Sequence, residues 1–144
     1  MEFYKVLADG RRAVTDGAGL ISNVEVLTVA TTLVSEDAGK VFSLQGATDG
    51  AAIALPVVES GFNARFYVGA AFATTNWTIV ATTNVIQGSA NVNSVSVLAA
   101  NENTISFVAT AETVGDYIDI ESDGTNYFVS GVGAAAGGVT FTAP

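Results

Sequence analysis

The sequence predicts an all-β protein, and three observations carry this prediction. Val, Ile and Thr contribute 20, 7 and 16 of the 144 residues, and such β-branched side chains favour strands over helices. Short apolar segments recur along the chain, and Gly, Asn, Asp, Ser or Pro separate nearly all of them. This spacing is typical of a small β-barrel or a jelly-roll-like β-sandwich.

The chain is expected to have two parts. An extended N-terminal arm, residues 1–22, precedes a β-barrel domain, residues 23–144. Alternation from Glu2 to Leu7 predicts a short strand that ends at the turn dipeptide Asp9-Gly10. Residues 10–19 contain three glycines and little apolar content, so an irregular connection is expected there.

The domain itself begins with strand-like residues 23–34 and one helical turn at 35–39, for which Ser35 is the expected N-cap. Further strands are expected at 40–45, 51–55, 64–68, 77–81, 85–87, 94–98, 104–109, 116–121, 126–130 and 139–142.

The clearest element is the hairpin around Asp123-Gly124. A two-residue loop with positive φ at both positions would pair Ile118 with Val129 and Ile120 with Tyr127. Asp119, Glu121 and Phe128 would then share the opposite face of the hairpin.

Composition excludes several kinds of chemistry. The chain has no Cys and no His, which removes Ser-His-Asp triads, thiol nucleophiles, thiolate or imidazole zinc sites and disulfides. A net charge of -9 argues against a nucleic-acid partner, because such a surface must neutralise phosphates. We therefore expect no enzyme activity and no cofactor.

Hydropathy is high, yet no membrane span is predicted. Residues 66–101 contain no charge, but the longest unbroken apolar run within them, 66–73, is far shorter than the roughly 20 residues that cross a bilayer. Glu2 and the alternation after it also differ from a secretory signal. With only 13% charged residues, part of the surface is expected to be covered by another chain.

Two motifs imitate binding sites. Asp119, Glu121, Asp123 and Gly124 match the first half of a calcium loop, but Ser130 stands where a bidentate Glu is required. An outward acidic strand face followed by a turn explains these residues, so no metal site is expected. Residues 131–136 fit a dinucleotide fingerprint in form, but a β-type segment follows where a helix is needed, so a loop is expected.

Several segments resemble, in the same order, a family of tailed-bacteriophage virion proteins, the capsid decoration or cement proteins. They are VSEDAGKVFSL at 34–44, IALP at 53–56, GFNARFYV at 61–68, ISFV at 105–108, GDYIDIESDGTNYFVSG at 115–131 and VTFT at 139–142. The resemblance covers residues 34–142, and the first 33 residues contribute little to it.

The resemblance implies a barrel-like homotrimer that binds the major capsid protein on the outer capsid surface of the virion. Lys5, Arg11 and Arg12 are the candidate capsid contacts, although two solvated arginines in a turn explain Arg11 and Arg12 equally well. A phage fibre module or receptor-binding knob, and a sugar-binding or adhesin-like domain, are the alternative functions.

Overall fold

The computed structural model describes residues 24–46 and 49–144, together with the backbone of two strands before them. The described elements are β1 Tyr4–Val6, β2 Arg12–Val14, β3 Val24–Leu27, β4 Thr31–Thr32, the 3-10 turn η1 Ser35–Asp37, β5 Lys40–Leu44, β6 Ala52–Ala54, β7 Ser60–Val68, β8 Trp77–Val80, β9 Ile86–Val92, β10 Val95–Glu102, β11 Thr104–Phe107, β12 Tyr117–Asp123, β13 Tyr127–Gly133 and β14 Val139–Thr142. The predicted all-β class is confirmed.

Two large mixed sheets form the body. The seven-stranded sheet has the order β10-β9-β13-β12-β7-β5-β3, and the five-stranded sheet has the order β14-β11-β8-β6-β4. Buried side chains of both sheets form one hydrophobic core. Of the two expected architectures, the structure is therefore the sandwich.

Consecutive strands from β3 to β9 alternate between the two sheets. Neighbours such as β3, β5 and β7 are consequently parallel, as are β4, β6 and β8. Parallel neighbours require a crossover connection. Here a strand of the opposite sheet lies within each crossover, so no long helix is needed.

Large aromatic side chains fill the space between the sheets. Trp77 is fully buried on β8. Phe42 stacks on Phe66 at 5.3 Å between ring centroids, and Phe62 meets Tyr127 edge-on at 6.1 Å. The Tyr127 hydroxyl donates to the Pro56 carbonyl oxygen at 2.8 Å, which satisfies the one polar atom of this buried side chain.

The predicted hairpin exists, but its predicted register is wrong by two residues. Ile118 pairs with Gly131, and Ile120 pairs with Val129. Asp123 Oδ1 accepts the N–H groups of Thr125 and Asn126, both at 2.9 Å, so the connection is longer than a two-residue loop. A shift of two residues preserves the faces, and Asp119, Glu121 and Phe128 do share the outer one.

Gly131 and Gly133, the glycines of the fingerprint-like segment, belong to β13, so the expected loop begins only at residue 134. A Cβ on Gly131 would lie 2.2 Å from the carbonyl oxygen of Tyr117. Close packing of two strands therefore explains this glycine without a nucleotide.

The expected irregular connection at 10–19 is corrected in part. Residues 12–14 form β2, which pairs antiparallel with β1 in a separate two-stranded sheet. Asp9-Gly10 lies between them, and a turn dipeptide favours a returning strand. The rest of the predicted arm, 1–22, lies outside the described residues.

The β9–β10 turn gives the first testable prediction. Val92 pairs with Val95, and the two residues between them have positive φ, 50° at Asn93 and 64° at Ser94. Glycine adopts this conformation at Ser94 without a Cβ penalty. We expect Ser94→Gly to raise the free energy of unfolding by roughly 0.5–1 kcal/mol in a urea titration. An unchanged or lower midpoint would contradict this turn geometry.

Candidate binding surface

The outer face of the seven-stranded sheet carries an open groove of about 420 Å³. It crosses the middle strands β5, β7, β12 and β13. Its polar and aromatic lining residues are Lys40, Asn63, Arg65, Asp119, Glu121, Phe128 and Ser130. This face is the one that the hairpin pattern predicted to be acidic.

Arg65 lies at the centre of the groove. Its Nε and Nη2 atoms donate to the two carboxylate oxygens of Asp119 at 2.6 and 2.8 Å, a bidentate geometry. The guanidinium also lies 4.7 Å from the ring centroid of Tyr117. Hydrogen bonding to Asp119 raises the pKa of Arg65 above its ordinary value. Because both partners are partly exposed, we expect about 1 kcal/mol or less from this pair.

Lys40 forms a second ionic cluster at one end of the groove. Its ammonium donates to Asp37 at 2.6 Å and to Glu25 at 3.0 Å, and these bonds, the Asp37 bond foremost, raise the pKa of Lys40. Burial acts to raise the pKa of Asp37, but the hydrogen bonds from Lys40 and from the Val34 N–H outweigh it and lower that pKa. Asp37 thus caps η1 through Val34, whereas Ser35, the expected N-cap, is the first residue of the turn.

The calcium-like residues do not converge. Asp119 is bound to Arg65, and Asp123 accepts backbone N–H groups in its own turn. Glu121 is exposed on the outer face with no hydrogen bond or ion pair within the described ranges. No group of three potential metal ligands occurs among residues 24–46 and 49–144. The Asp123 carboxylate therefore stabilises the hairpin turn and does not act as the metal ligand that the motif suggests.

Other carboxylates and amides hold loops in place. Asp116 is buried and accepts the N–H groups of Thr113 and Ala134, both at 2.9 Å. Glu112 accepts the Phe72 N–H at 2.9 Å, and the Asn76 side chain accepts the Ala109 N–H at the same distance. These contacts join loops at one end of the sandwich and leave the outer surface as the candidate functional region.

The three predicted capsid contacts lie before the body. Lys5 belongs to β1 and Arg12 to β2, where their backbones occupy adjacent rungs, Lys5 with Ala13 and Val6 with Arg12. Their side chains lie outside the described residues, and so does Arg11. Their role as capsid contacts stays a prediction.

The Arg65–Asp119–Tyr117 cluster was missed at the sequence level. Arg65 and Asp119 are 54 positions apart, and they meet because β7 and β12 pair in that register. The only available signal was that Arg65 is the last basic residue of the chain. A lone cation in an acidic β-protein has many possible partners, so the sequence does not select one.

Asp123 gives a pH prediction. The hydrogen bonds that it accepts from the N–H groups of Asn126 and Thr125 lower its pKa below the ordinary value of 3.8. The stabilisation is therefore present above about pH 4 and is lost as the pH falls through the lower folded-state pKa. Asp123→Asn retains an accepting oxygen without the titration, so stability should fall less steeply between about pH 4 and 2. Urea titrations across this range measure the slope.

Asp123→Ala is the matched variant, since it removes both the acceptor and the titrating group. It should be less stable than Asp123→Asn at pH 7, where only the loss of the acceptor distinguishes the two. If the free energy of unfolding of both variants fell as steeply below pH 4 as that of the wild type, the assigned role of Asp123 would be contradicted.

A metal prediction follows from the separated carboxylates. Calcium should leave the thermal unfolding midpoint unchanged, and so should EDTA, because only a ligand that binds the folded state stabilises it. Differential scanning calorimetry with millimolar calcium or EDTA measures this. A calcium-dependent rise of several degrees that Asp119→Asn abolishes would contradict it.

Within the described part of the chain, no helix has the length and apolar character to cross a membrane. No family model matches the chain, and neither a curated protein nor a solved structure shows significant similarity to it.

Proposed function

We propose that the protein is a capsid decoration, or cement, protein that binds the outer surface of a phage head as a homotrimer and stabilises it. The observation that carries the proposal is the number of large apolar side chains left on the surface of a charge-poor domain. Leu98, Val57 and Val29 are 70%, 75% and 66% exposed, and seven further large hydrophobic residues are exposed as well. Three of them, Leu98, Phe128 and Val132, share the outer face of the adjacent strands β10, β9 and β13, and exposed apolar side chains grouped on one face mark protein interaction sites.

The segments with the family resemblance support the same proposal. They coincide with η1 and β5, with β6, with β7, with β11, with the β12–β13 hairpin and with β14. These elements contribute to both sheets and to the common core. The resemblance therefore includes strands of both sheets and is not confined to one turn.

A cement function requires contact and no chemical step. Asp116 and Glu112 in the loops accept backbone N–H groups, and Asp119 in the groove is paired with Arg65. We accordingly propose a non-enzymatic role. Many copies that bind the assembled shell, and not its separated subunits, stabilise the shell by mass action.

We assign the capsid contact to the N-terminal segment. Three of the five basic residues, Lys5, Arg11 and Arg12, lie there, while the whole chain carries a net charge of -9. A cationic segment on an acidic body can attract acidic groups of the shell, and added salt weakens that attraction. The β1–β2 pairing also shows that strands form in this segment.

The test is binding of the full chain to phage heads that lack it. Arg11→Gln/Arg12→Gln should reduce the affinity roughly tenfold, because two exposed charge pairs contribute about 1 kcal/mol or somewhat more. Val24→Glu/Val26→Glu is the matched control, since it makes the same change in net charge at two exposed positions of the edge strand β3. Occupancy by cryo-electron microscopy and the temperature of head rupture are the measurements.

The outcomes separate the parts of the proposal. An equal loss of affinity in both variants would indicate a general charge effect. If neither variant loses affinity, the sandwich domain, and not the N-terminal segment, becomes the candidate capsid contact. Failure of the wild-type chain to occupy capsid faces would contradict the decoration function, and attachment at a vertex or tail would support a fibre module instead.

A further inference from the structure

Charge is distributed unequally between the two large sheets. The five strands of the smaller sheet, β4, β6, β8, β11 and β14, contain no charged residue. The outward positions on this sheet carry small side chains, as the pairing with buried neighbours shows. They are Thr32, Ala52, Ala54, Thr78, Val80, Thr104, Ser106, Thr140 and Thr142. The outer face of the smaller sheet is thus neutral and carries only small side chains.

The outer face of the larger sheet is divided into two halves. Its charged side chains lie on β3, β5, β7 and β12, apart from Glu102 at the end of β10. The outward side chains of β10, β9 and β13 are all neutral. They are Ser96, Leu98, Ala100, Gln87, Ser89, Asn91, Phe128, Ser130 and Val132. The boundary between the halves runs between β13 and β12.

The two neutral regions meet at one border of the sandwich. β10 is the edge of the larger sheet, β14 is the edge of the smaller one, and the two strands contact each other. We call the continuous surface from β13 around this border to β4 the neutral side. It includes about 600 Å² of sheet face by strand spacing and rise. A subunit of a trimer meets two neighbours, so the sheet faces alone supply less than the about 800 Å² per partner of a standard interface, and the β10/β14 border and the loops beside it must contribute the rest.

The border strand β10 lacks the features that normally protect a sheet edge. It pairs only with β9, so part of its backbone N–H and C=O groups point away from the sheet. Residues 95–101 include no Pro and no charge, and the register shift that bends the strand falls only at its end, between Ala100 and Glu102. Leu98 is 70% exposed in the middle of this edge strand. Long neutral edges of this kind pair with another chain or aggregate.

The net charge of the chain indicates which partner covers the neutral side. Each copy carries a net charge of -9, so two copies repel each other unless they meet through surfaces without carboxylates. The neutral side is such a surface apart from the half-buried Glu102 at the end of β10, and the acidic half of the larger sheet begins at β12, beyond the far limit of the neutral side at β13. We propose that the β10/β14 border and the faces beside it form the subunit interface of the homotrimer, with the three borders around the three-fold axis. This inference rests on the proposed homotrimer.

The test is sedimentation velocity of the full chain at micromolar concentration. The wild type should sediment as three times 14.6 kDa. Leu98→Glu places a carboxylate on each border and should weaken association roughly a hundredfold or more, to a 14.6 kDa monomer. Val24→Glu is the matched control, because Val24 is 46% exposed on β3, the opposite edge, and it should remain trimeric.

A second variant separates charge from lost packing or misfolding. Ser96→Glu introduces the same charge on the same face without removing an apolar side chain, and it should also dissociate the trimer. Far-ultraviolet circular dichroism of the dissociated variants should show the wild-type strand signal.

The results distinguish this inference from the proposed function. A wild-type trimer that dissociates with Val24→Glu, but not with Leu98→Glu or Ser96→Glu, would overturn the interface and leave the decoration function in place. A monomeric wild type would overturn the interface and the homotrimer together, whereas capsid binding is measured separately.

Discussion

The alternation of consecutive strands between two sheets is the constraint on which the structure depends. Between β3 and β9 the chain leaves one sheet at the end of each strand and enters the other. Each crossover has a strand of the opposite layer in it, so neither sheet is built without the other. Both sheets consequently contribute to the core from β3 and β4 onwards. Its aromatic pairs join strands that are not adjacent in sequence, β5 with β7 and β7 with β13.

This arrangement also brings the uncharged strands together on one side of the molecule. The strands of the smaller sheet, from β4 to β8, are short and lie between longer strands of the larger sheet, and they contain only apolar residues, Thr and Ala. The ionic contacts lie on the larger sheet. Arg65 and Asp119 pair between β7 and β12, and Lys40 of β5 pairs with Asp37 of η1. The sheet order thus groups the strands that carry ionic contacts and places the uncharged strands next to one another.

Period-two alternation predicted most strands and the inward face of the hairpin correctly, because alternation is a local property of a strand. The hairpin register was wrong because the Asp123 side chain, and not the dipeptide alone, determines the length of the turn. Sheet order and the parallel pairs could not be predicted, since they depend on contacts between distant segments. The pairing of Arg65 with Asp119 depends on that sheet order, and β2 was missed because its three residues are too few for a periodic pattern.

The partners of β9 have a consequence for how the chain folds. β9 joins β10 through the two-residue turn at Asn93-Ser94, but its other neighbour, β13, begins only at Tyr127. The hairpin can therefore form locally and early, while the parallel pairing must wait for the whole intervening segment and its loop-closure entropy. Folding is accordingly expected on the millisecond-to-second scale of non-local β-proteins. During that interval the hairpin exposes both of its edges, so dilute nascent chains should fold more efficiently than concentrated refolding mixtures.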